Sequence, residues 1–159
     1  MSTPLARDFS HLHVRSGFSY GYGVATPEEL AGAAAGMGMR SMALTDRDGL
    51  YGVPRFLEVA GEAGVSPIVG AEVSISGGGH LVLLAEGMEG YRSLCRLITA
   101  YRCSSGDRRR PACPLETVRA ETARGKRARP LAGGVRLVGR SGGHRPERPQ
   151  GAPLLRGCG

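Results

Sequence analysis

The sequence predicts an α/β fold. Short apolar runs, typical of buried strands, alternate with longer segments that carry helix start signals or a helical spacing of apolar residues. The predicted order up to residue 103 is β-α-β-α-β-β-β-α, and strands joined through helices imply parallel pairing by helical crossovers. With 159 residues, the chain suits one domain with its own core, because domains usually have about 100 to 150 residues.

The strands are predicted from compact apolar runs that are bounded by glycine, proline or polar residues. In chain order they cover residues 9–14, 41–45, 68–69, 72–75 and 80–84. Three consecutive glycines separate the last two strands and predict a turn there.

Helices are predicted from their start signals and from apolar spacing. The first begins at Pro27, because Thr26 is a hydroxyl N-cap and proline suits the first helical position. The second contains Pro54, which a helix tolerates only in its first turn. The third begins at Met88, and a short fourth helix is predicted over residues 115–122. The third helix has an apolar side formed by Tyr91, Leu94, Cys95, Leu97, Ile98 and Tyr101.

The excess positive charge lies near the end of the sequence. Residues 1–103 carry eight Arg and ten acids, whereas residues 104–159 carry thirteen Lys or Arg and four acids. From residue 123 the chain is mostly Arg, Gly, Pro and Ala, with the segment Val-Arg-Leu-Val at 135–138 as the exception. Such a composition buries too little apolar surface to offset the entropy of ordering. We therefore predict a domain over residues 1–122 and a basic tail over residues 123–159 that is disordered or read out of frame.

The sequence contains no pattern typical of a targeting signal or a membrane span. Its start is polar, and no apolar run approaches the length that a bilayer requires. We therefore expect a cytoplasmic location and no membrane partner. The four cysteines lack C-x-x-C spacing and are expected to be free thiols. They are Cys95, Cys103, Cys113 and Cys158.

Two histidines, His11 and His13, lie two residues apart in the first predicted strand. Alternate strand residues share a face, so both imidazoles could ligate one metal ion, or both could simply be hydrogen-bonded at a strand end. Three acids and a third histidine lie in or after later strands, at the sheet edge where ligands collect in parallel sheets. These four residues are Asp46, Asp48, Glu72 and His80. Each has a structural alternative, such as a helix cap or an ion pair with arginine, but together they could share one pocket.

Five motifs indicate a family. They are His-Leu-His-Val at 11–14, Thr-Pro-Glu-Glu-Leu at 26–30, Ala-Leu-Thr-Asp-Arg-Asp-Gly-Leu-Tyr-Gly-Val at 43–53, Ile-Val-Gly-Ala-Glu at 68–72 and His-Leu-Val-Leu-Leu-Ala at 80–85. These motifs resemble the PHP (polymerase and histidinol phosphatase) domain. They are most similar to the amino-terminal PHP domain of bacterial DNA polymerase III alpha subunits, especially the error-prone type.

The resemblance, over about residues 8–122, implies an incomplete, distorted (β/α)7 barrel with an open edge. In active members it implies several bound metal ions, with Zn, Mn or Mg as candidates here, and phosphoester hydrolysis or 3′-5′ exonuclease activity. The family domain is longer than this chain, and the polymerase domain lies downstream of it. The chain is therefore interpreted as a fragment that cannot polymerise DNA by itself.

The resemblance also identifies site residues. The positions that match metal ligands of the family are His11, His13, Glu72 and His80. Arg15 and Arg47 stand where the family has histidines, and Tyr22 stands where it has an aspartate. With these ligands lost, we expect a vestigial site that binds at most one metal ion weakly, and no residue is assigned a catalytic role. We predict that Arg47 pairs with Glu72, Asp46 or Asp48 where an ion would sit.

Three functions remain open from the sequence. The first is a structural PHP module of a polymerase for DNA replication or repair synthesis, with DNA and other polymerase subunits as partners of the full-length protein. The second is a stand-alone metal-dependent phosphoesterase. The third is a nucleic-acid-binding protein that acts through its basic tail. The lost ligands favour the first, and an open barrel edge would also predict low solubility and self-association.

Overall fold

A computed structural model of the chain describes residues 9–107, 110–127 and 135–141. This part of the chain forms four helices and four strands. In chain order they are α1 (Pro27–Gly36), β1 (Ser41–Leu44), α2 (Val53–Glu62), β2 (Ser66–Ser74), β3 (His80–Ala85), α3 (Gly87–Ser104), α4 (Leu115–Arg127) and β4 (Val135–Ser141). No helix among these residues is long and apolar enough to cross a bilayer.

The four strands form one mixed sheet in the order β1-β2-β3-β4. β1 and β2 pair in parallel through the crossover helix α2, whereas β2–β3 and β3–β4 are antiparallel. The parallel pairing predicted for strands that are joined through helices holds for β1 and β2, whereas β2 and β3, joined by the predicted glycine turn, are antiparallel. Residues 75–79 are too few for a crossover, and the left-handed Gly77 and Gly78 turn the chain into a hairpin instead.

The first predicted strand, over residues 9–14, is an extended segment instead of a regular strand. It lies along β1, where the Ala43 amide donates to the carbonyl of His11 at 2.8 Å and the Thr45 amide donates to that of Val14 at 2.7 Å. The two hydrogen bonds are two residues apart on β1 but three residues apart on the segment, so the regular hydrogen-bond pattern of a strand pair is interrupted. The segment still carries its side chains past the carboxyl end of β1.

Two predicted strands, over residues 68–69 and 72–75, form the single strand β2. Gly70 lies where β2 stops pairing with β1 and starts pairing with β3. A Cβ atom at Gly70 would lie 2.7 Å from the carbonyl oxygen of Leu83, so only glycine lets the two backbones approach this closely. Local composition suggested a break at this glycine, whereas the tertiary contact continues the strand through it.

The helices begin where the sequence predicted. α1 starts at Pro27 with a capping box, in which Thr26 and Glu29 each bond the other's backbone amide. α2 has its proline in the first turn, and α3 starts one residue before Met88.

Regular structure extends beyond residue 122. α4 continues to Arg127, and β4 pairs with β3 along its whole length with a bulge at Val82/Leu83. β4 contains the one apolar run, residues 135–138, that the sequence singled out in the tail, and the free edge of β3 explains its pairing. The remainder of the predicted tail lies outside the described residues.

The core has two main parts. One joins α1, α2 and β1 around Phe56 and Leu44, which are fully buried. The other joins α3 and α4 to the β2–β3 hairpin around Leu83, Leu94 and Tyr101. Most of the buried polar residues lie in β2, in the turn after β1 and in the loop before α1, and Ser93 lies in α3.

Candidate functional site

Glu72 is the centre of the candidate site. It lies within β2, beyond the end of β1, and its side chain is completely buried. The turn that follows β1 is bonded to its backbone: the Glu72 amide donates to the carbonyl of Asp46 at 3.0 Å, and the Asp48 amide donates to the carbonyl of Glu72 at 2.8 Å. The sheet therefore fixes the position of Glu72 and brings both aspartates beside it.

One carboxylate oxygen of Glu72 receives every hydrogen bond made to its side chain. His13 Nε2 lies 2.5 Å from Oε2, and Arg15 donates to the same oxygen from Nε at 2.9 Å and from Nη2 at 2.5 Å. Burial by itself would raise the pKa of Glu72, but the hydrogen bonds from Arg15 and His13 outweigh it and lower the pKa below the usual value. Glu72 is therefore an ionised carboxylate whose charge is matched by a guanidinium.

The other oxygen of Glu72 has no hydrogen-bond partner among the described residues. Oε1 is buried, and the buried Nδ1 of His80, also without a partner there, lies 3.9 Å away. Burial and the nearby charge of Arg47 lower the pKa of His80, so its imidazole is neutral at neutral pH. Oε1 and Nδ1 thus lie opposite each other across a gap too long for a hydrogen bond.

Asp46 serves the preceding loop. Its carboxylate accepts hydrogen bonds from the Ser16 amide at 2.7 Å, from the Ser16 hydroxyl at 2.9 Å and from the Ser19 hydroxyl at 2.7 Å. These bonds hold the glycine- and aromatic-rich loop over residues 16–23 against the end of β1. Asp46 is thereby used for structure, in a role different from the helix cap that the sequence suggested.

Asp48 joins three elements. It has a left-handed backbone, with φ of 50°. Its carboxylate accepts from the Ser74 amide at 2.8 Å, the Ser74 hydroxyl at 2.7 Å and the Tyr101 hydroxyl at 2.9 Å. The turn after β1, the end of β2 and the last turn of α3 therefore meet at one carboxylate.

Arg47 does not contact the Glu72 carboxylate. Its guanidinium carbon lies 4.2 Å from the centre of the Tyr22 ring, and its Nε lies 3.2 Å from the Ser74 hydroxyl and 3.7 Å from Asp48 Oδ2. The sequence named Arg47 as the partner of Glu72 or of one of the two aspartates. In the structure Arg15 forms the ion pair with Glu72, and Arg47 lies beside Asp48.

A cleft of about 480 Å³ opens next to these residues. Its polar wall contains His11, His13, Arg15 and Tyr22, and its opposite wall is apolar. The residues of the apolar wall include Leu30, Ala33, Met37 and Met42. His11 lies edge-on to the ring of Phe9 in this cleft, whereas His13 reaches through to Glu72. The two histidines of the first motif therefore serve different neighbours.

Sequence reasoning missed the residues that satisfy the two aspartates. Ser16, Ser19 and Ser74 are small polar residues with no distinctive pattern, and Tyr101 was counted on the apolar side of its helix. The role of Arg15 did have a signal, because it lies two residues after His13 and so shares its face in an extended segment.

The chain matches the PHP domain family over residues 11–144, and it belongs to that family. The match runs beyond residue 122, where the sequence-based boundary was placed. Among curated proteins, the chain is 43% identical over 129 residues to the error-prone DNA polymerase of Symbiobacterium thermophilum, covering 72% of this chain and 12% of that protein. It is 40% identical over 120 residues to the error-prone DNA polymerase of Mycolicibacterium paratuberculosis, covering 69% of this chain and 11% of that protein.

The chain thus spans about one eighth or less of the length of these relatives. A solved amidohydrolase from Chromobacterium violaceum, with bound sulfate and no metal, is also similar. It is 27% identical, covers 77% of this chain and 40% of its own, and has a TM-score of 0.48.

Membership of the PHP family suggests the use of a metal ion, and the residues present were tested for that role. The described part of the chain contains no group of three or more His, Cys, Asp or Glu side chains arranged to hold one ion. Oε2 of Glu72 is occupied by Arg15 and His13, and among the buried side-chain atoms of the described residues Oε1 of Glu72 and Nδ1 of His80 have no hydrogen-bond partner. A structural or catalytic zinc centre needs at least three protein ligands, so these residues do not fit one.

Proposed function

We propose that this chain is the amino-terminal PHP module of an error-prone-type DNA polymerase and that the module has a structural role instead of hydrolysing phosphoesters. The single observation that carries the structural role is the pairing of the buried Glu72 carboxylate with Arg15 and His13. The polymerase assignment is supported by 40–43% identity to the amino-terminal region of curated error-prone DNA polymerases.

The polar residues of the site act as folding contacts in this proposal. Asp46 holds a loop, Asp48 joins β2 to α3, and Glu72 ties the extended segment to the sheet. A buried carboxylate that is paired with a guanidinium and hydrogen-bonded favours one arrangement of its neighbours, because loss of the partner leaves a charge unpaired at a cost of several kcal/mol. The same contacts occupy both aspartates and the Oε2 atom of Glu72.

The remaining features of the proposal come from the full-length relatives. On the basis of family membership, we propose that the full-length protein synthesises DNA in replication or repair, with DNA and other polymerase subunits as partners. We also propose a cytoplasmic location and an incomplete PHP-type barrel. We further propose that the sequence departs from the family through a frameshift within residues 123–159, after the family match that reaches residue 144. The nucleotide sequence tests this: an alpha-subunit continuation should appear in another frame just downstream.

Hydrolysis by the purified chain tests the structural role. The substrates are bis(p-nitrophenyl) phosphate and a 3′-labelled single-stranded oligonucleotide, each in EDTA, in Mn²⁺ and in Zn²⁺. We expect no turnover above that of a His13→Ala variant in any of these conditions. Metal-dependent turnover that His13→Ala abolishes would instead establish a phosphoesterase.

A metal-dependent phosphoesterase is the second candidate, and one observation favours it. Oε1 of Glu72 and Nδ1 of His80 are unpartnered donors beside a cleft that also contains His11 and His13. This candidate requires Arg15 to leave Glu72 when an ion binds. Metal-dependent turnover in the hydrolysis assay would support it and exclude the structural role.

A further inference from the structure

Several aromatic rings are exposed on two neighbouring segments of the fold. The chain has five tyrosines and three phenylalanines, and four of these eight residues lie in the loop over residues 16–23 and in the turn between β1 and α2. Phe18, Tyr20, Tyr22 and Tyr51 are 49%, 95%, 52% and 61% exposed, and we call them the aromatic surface. Aromatic rings gain much from burial, so a group of exposed rings indicates an interaction site.

The loop and the turn that carry these rings are packed against each other. The Arg47 amide donates to the Ser19 hydroxyl at 3.0 Å, and a Cβ atom at Gly52 would lie 3.1 Å from Cδ2 of Phe18. The Ser19 hydroxyl also donates to the buried carboxylate of Asp46 at 2.7 Å. Because the backbone under the rings is already fixed, a ligand would not have to order it.

Arginine side chains lie over two of the four rings. The guanidinium carbon of Arg47 is 4.2 Å from the centre of the Tyr22 ring, and that of Arg102 is 6.0 Å from the centre of the Tyr51 ring, both within the range of a cation–π contact. Both arginines also lie beside Asp48, whose carboxylate is buried and hydrogen-bonded within the fold. The positive charge therefore lies outermost, and an approaching anion meets guanidinium groups before it meets a carboxylate.

Exposed rings with arginines beside them fit a single-stranded nucleic acid. Unpaired bases stack on aromatic rings, and neighbouring arginines attract the phosphates. In a duplex the bases are stacked on one another, and unstacking them costs a few kcal/mol. An apolar protein segment would cover the rings but would also remove two guanidinium groups from water without a counter-charge.

We propose that the aromatic surface binds single-stranded DNA by stacking, with Arg47 and Arg102 facing its phosphates. The choice of DNA over RNA rests on the proposed function, since the curated relatives are DNA polymerases. Binding at this surface uses neither the Glu72 carboxylate nor a metal ion.

Fluorescence anisotropy of a labelled oligothymidylate of about twelve nucleotides, in EDTA, measures binding to the full chain. Wild type is compared with Tyr20→Ala, Tyr51→Ala and Tyr20→Phe, and circular dichroism checks that each variant is folded. Val24→Ala is the matched control, because Val24 is 97% exposed just after the same loop but has no ring. The basic residues after position 122 are the same in every variant, so their contribution to binding does not differ.

We expect Tyr20→Ala and Tyr51→Ala each to weaken binding about tenfold, and Tyr20→Phe and Val24→Ala to change it by less than about twofold. These ratios should persist as the salt concentration is raised, because stacking releases no counterions, whereas binding through phosphates alone falls steeply with salt. Ultraviolet crosslinking followed by peptide mass spectrometry should place thymine adducts on residues of the aromatic surface.

The arginines have a separate test. Arg47→Gln should weaken binding and lower its salt dependence, because one phosphate contact is lost. Arg92→Gln is the control, since Arg92 is exposed on α3 in an ion pair with Glu89, and it should leave both quantities unchanged.

Three results would overturn the inference. The first is equal affinity of wild type and both alanine variants, which would assign any binding to the basic tail. The second is the absence of binding by wild type, which would assign the aromatic surface to a protein partner. The third is tighter binding of a duplex or of oligouridylate than of oligothymidylate. None of these removes the proposed structural role, which the hydrolysis assay tests, and metal-dependent hydrolysis would remove that role without affecting this inference.

Discussion

Replacement of Asp48 by alanine removes the carboxylate that joins three elements of the fold. The Ser74 amide and the Tyr101 hydroxyl then lose their acceptor in a buried position, at about 1–3 kcal/mol each. Alanine at φ of 50° adds about 1 kcal/mol of backbone strain. We therefore expect the free energy of unfolding to fall by about 4 kcal/mol, which is a large share of the 5–15 kcal/mol typical of a domain.

An asparagine at the same position separates these contributions. Asp48→Asn keeps an acceptor oxygen for Ser74 and Tyr101 and tolerates the left-handed backbone. It loses only the charge and the bond from the Ser74 hydroxyl, so we expect a smaller loss of about 1–2 kcal/mol.

Urea unfolding, followed by far-ultraviolet circular dichroism, measures both changes, since the chain has no tryptophan to report by fluorescence. Glu58→Ala is the control, because its exposed ion pair with Arg55 contributes about 0.5 kcal/mol or less. If the free energy of unfolding of Asp48→Ala is within about 1 kcal/mol of that of wild type, the argument from buried hydrogen bonds fails. It also fails if the alanine and asparagine variants have the same free energy of unfolding.

Three other predictions concern thiols, pH and glycines. Cys103 is exposed and should react with iodoacetamide in the folded chain. Cys113 is buried, and burial raises the pKa of its thiol to about 11, so it should react only after unfolding. Peptide mass spectrometry measures the modification of both cysteines. Burial, and to a smaller extent the nearby charge of Asp48, raises the pKa of Tyr101 above its usual 10.0. The neutral Tyr101 hydroxyl therefore stabilises the fold below pH 10, and this stabilisation is lost as the pH rises further. When the pH is raised from neutral to above 10, the melting temperature of Tyr101→Phe should therefore fall less than that of wild type. Gly70→Ala should destabilise the folded chain by about 1–3 kcal/mol, because the new Cβ would lie 2.7 Å from a carbonyl oxygen of β3. Gly32→Ala in α1 should stabilise it by about 0.5–1 kcal/mol, because the new Cβ meets nothing within 4 Å. Calorimetry measures both changes.

Local signals explain what the sequence could predict of the fold. The start of α1 depends on Thr26, Pro27 and Glu29, which are neighbours in the chain and form the capping box directly. The direction in which β3 pairs was not local in this sense. The glycine turn between β2 and β3 was predicted, but β2 continues through Gly70 and pairs with β1 in parallel and with β3 antiparallel, which becomes clear only when all three strands are placed in one sheet.

The candidate site shows the same limit. Sequence alone placed His13, Glu72 and Arg15 in one group and predicted that Arg47 pairs with Glu72, Asp46 or Asp48. Arg47 lies beside Asp48, with 3.7 Å between Nε and Oδ2, whereas Arg15 is the arginine that bonds Glu72. The choice is decided by the extended segment that lies along β1 and brings Arg15 across 57 positions of sequence to Glu72. Chain spacing could show that Arg15 and His13 share a face, but not which carboxylate that face would meet.

The central claim is that Arg15, and not a metal ion, neutralises Glu72. Crystals of the wild-type chain grown in excess MnCl2, with diffraction data collected above the manganese absorption edge, test it most directly. The account predicts that the anomalous difference map has no peak at coordination distance from Glu72 and that the Arg15 guanidinium remains on Oε2. An anomalous peak bonded to Glu72 and His80, with Arg15 turned out into the cleft, would contradict it.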